Sequence, residues 1–331
     1  MDVRLTVSVA LCTHNGARFI REQLESIFAQ TVLPDEIVIS DDASTDGTLA
    51  LVARAFANRP AGPALIVLEN NPALGVTKNF ERAILACTSE IILLSDQDDR
   101  WTPNRAERTL AAFDHDPEVM LVHSDATLID AKGDALPGSL FHAYAVDAAT
   151  RAQLASDSAF ELFMRRNLIT GAATAVRRTL ATAAAPFPAS WVHDEWLAIV
   201  AALTGRIVPI DEKLIEYRQH GSNEIGAVEL TLASKLARLT APGFERNRRL
   251  LGRATDLAAR LRELGAPATP ERLASADEKV EHERVRSRLS PHRLARIAPV
   301  IREWSTGRYA RFGGGMQDVA RDLVQPLRPP G

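Results

Sequence analysis

Apolar positions in the first 124 residues follow two alternating rhythms, short continuous runs and helical stripes. Leu5–Cys12 (LTVSVALC), Glu36–Ser40, Ala64–Leu68, Ile91–Ser95 (IILLS) and Val119–His123 are short apolar or β-branched runs, which predict buried strands. Between them, Arg18–Gln30 places Ile20, Leu24, Ile27 and Phe28 on one helical face. Thr48–Ala57, Thr77–Ala86 and a stretch from Pro103 to about Asp114 also read as helices. Strands apolar on both faces, alternating with helices, argue for an open, mostly parallel α/β sheet covered by helices. Ligands of such sheets bind beyond the carboxyl ends of the strands. Here those ends carry Thr13-His14-Asn15, Asp41-Asp42 and Asp96-Gln97-Asp98-Asp99, three polar or acidic termini aimed at one crevice.

Beyond residue 125 the rhythm loosens. Asp130 to Asp134 reads as a turn, 135–157 as a loop-rich insertion, Asn167–Arg177 as a strand, Val192–Leu203 as an apolar helix and Lys213–Tyr217 as a strand. From about residue 228 the chain is rich in Ala, Leu and Arg with helical periodicity, interrupted near Pro242, Pro267 to Pro270 and Pro291.

Charge changes this picture in one respect. The 331 residues are 46% hydrophobic and 24% charged with a net charge of −3, which excludes a disordered or collagen-like chain and gives no sign of a nucleic-acid binder. Residues 1–234, however, carry 19 Lys and Arg against 31 Asp and Glu, whereas 235–331 carry 20 against 11. An acidic body is joined to a basic C-terminal region. Cys12 and Cys87 read as buried thiols of a reducing compartment. The start of the chain lacks signal-peptide architecture, and its longest apolar stretch, Leu197 to Leu203, is far short of the ~20 residues of a membrane span. The expected location is cytoplasmic.

Four clusters carry candidate chemistry. Three aspartates in the four positions Asp96 to Asp99, directly after an apolar run, repel one another unless a cation is near. Magnesium and manganese take such carboxylates together with phosphate oxygens and water. The alternative is a polar turn capping the next helix. Asp41-Asp42 can accept hydrogen bonds from a nucleobase or ribose, or can serve as an Asx turn ahead of Gly47. His193-Asp194-Glu195-Trp196 opens a helix, so its acids either complement the helix dipole or supply a general base. Tyr217 to Asn223 follows a strand and brings Arg218, His220 and Asn223 within six residues.

Taken in order, these segments resemble the family 2 glycosyltransferases, which have the nucleotide-sugar-binding GT-A fold. Val7 to Gly16 is similar to that family's first strand and base-contacting loop, and Pro34 to Thr48 to its second signature. Leu94 to Asp99, with Trp101 and Pro103, resembles its D-x-D segment. Gly171 and then His193-Asp194-Glu195-Trp196 resemble the acceptor region and catalytic-base position. Tyr217-Arg218-Gln219-His220, with Asn223 and Gly226, is similar to the closing motif of a bacterial rhamnosyltransferase-like subgroup.

The resemblance covers about residues 5–226. It implies a GT-A catalytic domain over 1–226, with a nucleotide half at about 1–124 and an acceptor half at about 125–226. A helical, basic region over 227–331 would follow. It implies an α/β, Rossmann-like mixed sheet in which Thr13, His14, Asn15, Asp41, Asp42, Lys78, Asn79, Asp96, Gln97 and Asp98 line the nucleotide-sugar site. Asp98 and His220 would hold Mn2+ or Mg2+, and Asp194 would be the base. Trp101, Gly171, His193, Glu195, Trp196, Arg218 and Asn223 would serve the acceptor or closing loop. His193 stands where the family more often has Glu.

The implied activity is inverting transfer of a sugar, rhamnose favoured, from a dTDP- or UDP-sugar to a saccharide or lipid-linked saccharide acceptor in bacterial cell-surface polysaccharide synthesis. The competing readings are a nucleotide-sugar-binding module of the same fold without activity, and a sugar nucleotidyltransferase, which should open on a Gly-rich phosphate loop. A receiver-like domain would leave Tyr217 to Asn223 unexplained. For the basic region, over 235–311, the readings are packing on the catalytic domain, a homo-oligomer contact or a peripheral anchor on an anionic inner membrane face.

Overall fold

A computed structural model of the chain describes residues 4–326 except 60, 115, 221–242 and 266. Asn223 and the break near Pro242 therefore lie outside the described residues. The described residues fall into two compact units, one within Met1–Ala159 and Leu168–Ala227, the other within Phe160–Asn167 and Val228–Gly331. The stretch 160–167 thus belongs with the C-terminal residues, where the sequence reading kept it in the catalytic part.

The first unit is built on a nine-stranded sheet. Its strands are β1 (Val7–Thr13), β2 (Glu36–Asp41), β3 (Ala64–Glu69), β4 (Ile91–Ser95), β5 (Arg100–Trp101), β6 (Val119–Ile129), β7 (Ala135–Ser139), β8 (Thr174–Arg177) and β9 (Arg206–Arg218). Between them in the chain run α1 (Ile20–Phe28), α2 (Thr48–Ala57), α3 (Val76–Ala86), α4 (Arg105–Asp114), α5 (Leu140–Ala143), α6 (Ala148–Leu154), α7 (Ala159–Arg165), α8 (Arg178–Ala184) and α9 (His193–Thr204), of which α7 belongs, from residue 160 on, to the second unit. β1, β2 and β4 are buried along their whole lengths because helices cover both faces, which is why they read as unbroken apolar runs. β3 is the edge of the sheet and is partly exposed.

The strand order is β3-β2-β1-β4-β8-β6-β9-β5, with β7 beside β6. β3, β2, β1 and β4 are mutually parallel. Beyond β4 the sheet is mixed: β8 runs antiparallel to β4 and β6, β7 to β6 and β5 to β9, while β6 and β9 are parallel. The expectation of a mostly parallel sheet holds only for the first half. One of these antiparallel pairings is a hairpin: Gly133, at φ 92°, lets the Asp130–Asp134 turn fold β7 directly back on β6.

Three local expectations also change. The stretch 135–157 is not mainly loop, since α5 and α6 are capped by Ser139, whose Oγ accepts from the His142 N–H, and by Asp147, which accepts from the Thr150 N–H. Only Thr174–Arg177 of the expected Asn167–Arg177 strand is extended. The Thr170 N–H donates to His123 Nε2 (3.1 Å) and the Gly171 N–H to Asp194 Oδ2 (3.0 Å), so these groups serve side chains rather than a strand ladder. β6 and β9 are longer than their apolar runs, because irregularities around Ser124 and Asp125 interrupt the alternation.

In the second unit, α10 (Phe244–Leu264) and α11 (Pro270–Ser287) are followed by α12 (Ile297–Ser305), α13 (Arg308–Phe312) and α14 (Met316–Val324). Val300, Tyr309, Val319 and Leu289 form its small apolar cluster. No helix among the described residues is long and apolar enough to cross a membrane.

Candidate active site

The register of the parallel strands sets Thr13 beside Asp41 at the carboxyl edge of the sheet, with Ser95 one strand away opposite Leu11. Thr13 Oγ1 donates to Asp41 Oδ1 (2.5 Å), and that carboxylate also accepts from the Ser44 N–H (2.9 Å) and hydroxyl (2.6 Å). Asp41 is therefore an Asx-turn residue that holds its own loop. Asp42 reaches further: it accepts from the N–H groups of Leu74 (2.6 Å) and Gly75 (2.8 Å), just before α3, and from Asn70 Nδ2 (3.1 Å). A carboxylate offers about four acceptor positions, so Asp42 keeps capacity for one further donor while fixing the loop around it.

Asn79 extends this frame, its Oδ1 accepting from Asn70 Nδ2 (2.8 Å) and its Nδ2 donating to the Thr13 carbonyl (3.4 Å). Lys78 pairs with Glu81 (2.5 Å) and keeps an exposed head. His14 and Gln97 exchange two hydrogen bonds, N–H to Oε1 (2.9 Å) and Nε2 to carbonyl (3.0 Å). A Cβ on Gly16 would stand 2.1 Å from Gln97 Oε1, so this position takes only glycine without displacing that pair. Asn15, at φ 48°, accepts the Thr45 N–H on Oδ1 (2.9 Å), so the β1 loop and the β2 loop are stitched together.

The acidic segment after β4 divides by role. Asp99 is 2% exposed, its Oδ1 accepts the Arg218 N–H (2.8 Å), and Oδ2 has no partner among the described residues. Burial, then the nearby Asp98 and Asp96, push its carboxyl well above the usual range. Asp99 is thus an interior anchor. Asp98 instead meets His220, with Oδ2 and Nε2 2.7 Å apart, across 122 positions of sequence. Phe19 stacks on the His220 ring at 5.1 Å between centroids.

Arg218 builds this junction. It is 1% exposed, donating from Nε to the Asp98 carbonyl (2.6 Å), from Nη1 to the Asp130 carbonyl (3.3 Å) and from Nη2 to Glu22 (2.8 Å), with its guanidinium 4.7 Å from the Phe19 ring centroid. Its place is in the frame behind the acidic turn rather than on an acceptor surface.

In the second half of the same unit, α9 presents His193, Asp194 and Glu195 in its first turn. Asp194 accepts the Gly171 N–H on Oδ2 and the Glu195 N–H on Oδ1 (2.7 Å), which orients the carboxylate. His193 stacks on Phe80 (3.8 Å, 11°), and burial pushes its pKa down to about 3, so the ring is neutral. A Cβ on Gly171 would lie 2.5 Å from His193 Nε2, which ties the glycine to this close packing.

Two tyrosines link the acidic groups. Tyr217 is raised by burial and then by Asp99, Asp96, Tyr144 and Asp98, and Tyr144 by burial and by Asp194 and Glu195. Trp101 and Trp196 do not reach an acceptor surface. Trp101 lies in the core with Arg105 3.9 Å above its ring, and Trp196 is fully buried with its indole N–H donating to the Ala184 carbonyl (2.7 Å). Apolar contact, not recognition, explains both.

Phe19, Glu22, Asn70, Phe80 and Tyr144 escaped the sequence reading. Asn70-Asn71-Pro72 is a legible turn signal, but nothing in local spacing connects Asn70 with Asp42, 28 positions earlier. Among the described residues no group of three or more His, Cys, Asp and Glu forms a complete metal cage. Asp98 and His220 nevertheless suit a hard divalent cation whose other ligands come from phosphate and water.

A parallel nucleotide-type half-sheet with an acidic turn at its carboxyl edge, completed by a mixed half with a carboxylate at a helix start, defines a GT-A architecture. Residues 8–156 match the family model described as glycosyl transferase family 2. An uncharacterized protein of Mycobacterium tuberculosis is 28% identical over 220 residues, 65% of this chain and 59% of that protein. The chain thus spans about three-fifths of the length of such curated relatives. The fold is shared with S. aureus TarS 1–349, solved in complex with UDP (TM-score 0.57, 18% identity, 96% of this chain and 89% of that one). It is shared as well with the mannosyltransferase PcManGT from Pyrobaculum calidifontis, solved with GDP-Man and Mn2+ (TM-score 0.52, 18% identity, 97% and 86%).

Proposed function

We propose that the protein is an inverting, metal-dependent glycosyltransferase that moves a sugar from a nucleotide-diphosphate donor to a saccharide acceptor. The observation that carries the reading is the approach of Asp98 and His220, 122 positions apart in sequence, in the unit whose strand ends join Thr13, Asn79, Asn70 and Asp42 by hydrogen bonds. The loops around Thr13 to Asn15 and Asp41 to Asp42 hold the nucleoside, with Asp42 offering its remaining acceptor position to the base. Asp96 approaches the ribose. Lys78 and Gln97 border the same region.

Asp98 and His220 would hold Mn2+ or Mg2+, and the cation, when bound, neutralises negative charge growing on the leaving diphosphate. The Mn2+ in PcManGT supports divalent chemistry in this fold. Asp194 accepts the proton from the acceptor hydroxyl as its oxygen attacks the anomeric carbon from the face opposite the diphosphate. A single displacement inverts that carbon. The N–H groups of Gly171 and Glu195 hold the Asp194 carboxylate in a fixed orientation.

The resemblance of Tyr217 to His220 to a rhamnosyltransferase-like closing motif favours a dTDP- or UDP-linked sugar, rhamnose first. The acceptor is a growing bacterial cell-surface polysaccharide or its lipid-linked precursor, handled at the cytoplasmic face of the membrane.

A thermal-shift panel of nucleotide sugars with and without Mn2+ tests the reading, because selective binding stabilises the folded state. One donor class should raise the melting temperature, more with Mn2+ than with chelator, and acceptor addition should release free nucleoside diphosphate. Binding without release under any saccharide acceptor would favour the inactive-module reading. No selective binding would remove both.

A further inference from the structure

The C-terminal unit turns much of its basic charge inward. Arg286 and Arg246 pair with Asp322 (2.7 and 3.0 Å), and Arg296 donates to the carbonyls of Ser290, Pro291, Asp322 and Gln325. Arg308 pairs with Glu303, and Arg311 with Glu278. Part of the positive charge that marks this region in the sequence is therefore structural, while Arg248, Arg249, Arg262 and Arg311 stay exposed.

One stretch sets exposed arginines beside exposed apolar side chains. Arg288, Arg293 and Arg302 are exposed. The single carboxylate between residues 288 and 311, Glu303, is 3% exposed and turned inward onto His282 Nδ1 (2.7 Å) and Arg308. Along the same stretch Leu294 is 84% exposed, Ile297 44%, Ile301 54% and Trp304 53%. Ile297, Ile301 and Trp304 are spaced by four and three residues, which puts them within about 60° of one another around α12. Val300 and Glu303, on another side of the helix, are buried. The helix is held in its own unit by one side and presents an apolar ridge, edged by arginine, on the other.

We propose that the ridge of Leu294, Ile297, Ile301 and Trp304, with Arg288, Arg293 and Arg302 beside it, seats the protein in the interface of an anionic lipid bilayer. Side chains of this kind enter the headgroup boundary while flanking cations meet lipid phosphates. Tryptophan is the residue best suited to that depth, with an apolar body and a polar N–H. Charge argues against a second copy of the chain as occupant, since a two-fold contact would set Arg293 and Arg302 of each copy against one another. The inference deepens the transferase reading by supplying the surface on which a lipid-linked acceptor is met. Its test reads membrane partitioning, so either reading can fail alone.

The chain has four tryptophans, and three of them, Trp101, Trp191 and Trp196, are buried. Trp304 therefore reports the encounter. Added to the full-length protein, vesicles of phosphatidylcholine with phosphatidylglycerol should shift tryptophan emission to the blue and carry the protein in sedimentation. Pure phosphatidylcholine should do neither. Trp304→Phe should lose the emission shift yet still sediment. Ile301→Glu should reduce partitioning at least about tenfold with unchanged melting temperature. Arg293→Gln with Arg302→Gln should reduce it roughly 25-fold, about fivefold for each arginine. Absence of partitioning to anionic vesicles, or partitioning insensitive to Ile301→Glu, would overturn the proposal. So would a concentration-dependent dimer, without lipid, that Ile301→Glu dissociates. Partitioning by a protein that binds no nucleotide sugar would support the ridge while removing the transferase reading.

Discussion

The N-terminal unit buries Asp41, Asp42, Asp99 and Asp194 at strand and helix ends, where each accepts backbone N–H groups. In the C-terminal unit, Lys279, Glu283, Arg286, Glu303 and Asp322 are equally buried, but there the charges pair mainly with one another. Backbone donors hold these carboxylates in place without an opposite charge beside each one. Mutual pairing consumes the charge and makes the network a fastening between helices. The same inventory of side chains is thus oriented by backbone in one unit and paired with itself in the other.

Substitution at Asp194 should separate the two uses most sharply. Asp194→Asn can keep only one of the two N–H contacts, on its amide oxygen, and removes the proton acceptor, so turnover should fall by about 10² to 10⁴. Donor binding by thermal shift should persist; equal loss of binding and turnover would mark the residue as structural. In the other unit, Asp322→Ala leaves Arg286 and Arg246 without their shared partner and should cost about 3–5 kcal/mol. Denaturant unfolding should show that loss while nucleotide-sugar binding, measured below the transition, stays intact.

Asp98→Ala should lower cation-dependent donor affinity by about 10²-fold and leave affinity in chelator unchanged. Full activity of that variant in chelator would defeat the metal assignment. Gly171→Ala drives a methyl against the His193 ring and should destabilise the chain by about 1–3 kcal/mol, together with a loss of turnover through displacement of Asp194. A variant with wild-type turnover would uncouple the glycine from the base.

The gentlest probe is acid. His123 and His193 in the first unit are held to about 3, and His282 in the second to about 2, each mainly by burial. Between those values and the ordinary histidine value of about 6.5, the unfolded chain binds protons that the native chain does not. Stability is therefore complete above that value and falls as pH drops, by at most about 1.4 kcal/mol per pH unit for each histidine. Unfolding midpoints at pH 7 and pH 5 should show the decline, and His193→Phe should remove the part of it that His193 contributes, leaving that of His123.

Much of the site was legible along the chain. Thr13, Asp41 and Asp98 follow apolar runs that can only be strands, and the parallel register brings Thr13 beside Asp41 without any further device. The pairing of Asp98 with His220 could be expected only through the family resemblance, since no local spacing spans 122 residues. Trp101, Trp196 and Arg218 were harder. Their side chains are chemically suited to recognition, and only the packing around them turns two into core and the third into a clamp. The basic C-terminal region misled in the same way, because net charge counts arginines without showing that Arg246, Arg286 and Arg296 point inward.

Periodicity, capping residues and turn formers determined where the strands and helices of the N-terminal half lie, because those preferences act over one or two turns of chain. They determined also which residue types stand at the strand ends. The tertiary structure alone decided that β6 and β9 pair across most of their lengths, that 160–167 joins the distant helices, and which aspartate anchors the Arg218 N–H and which meets His220. The physical reason is that a side chain's role is set by the donors and charges that meet it, and here those come from segments tens to hundreds of residues away.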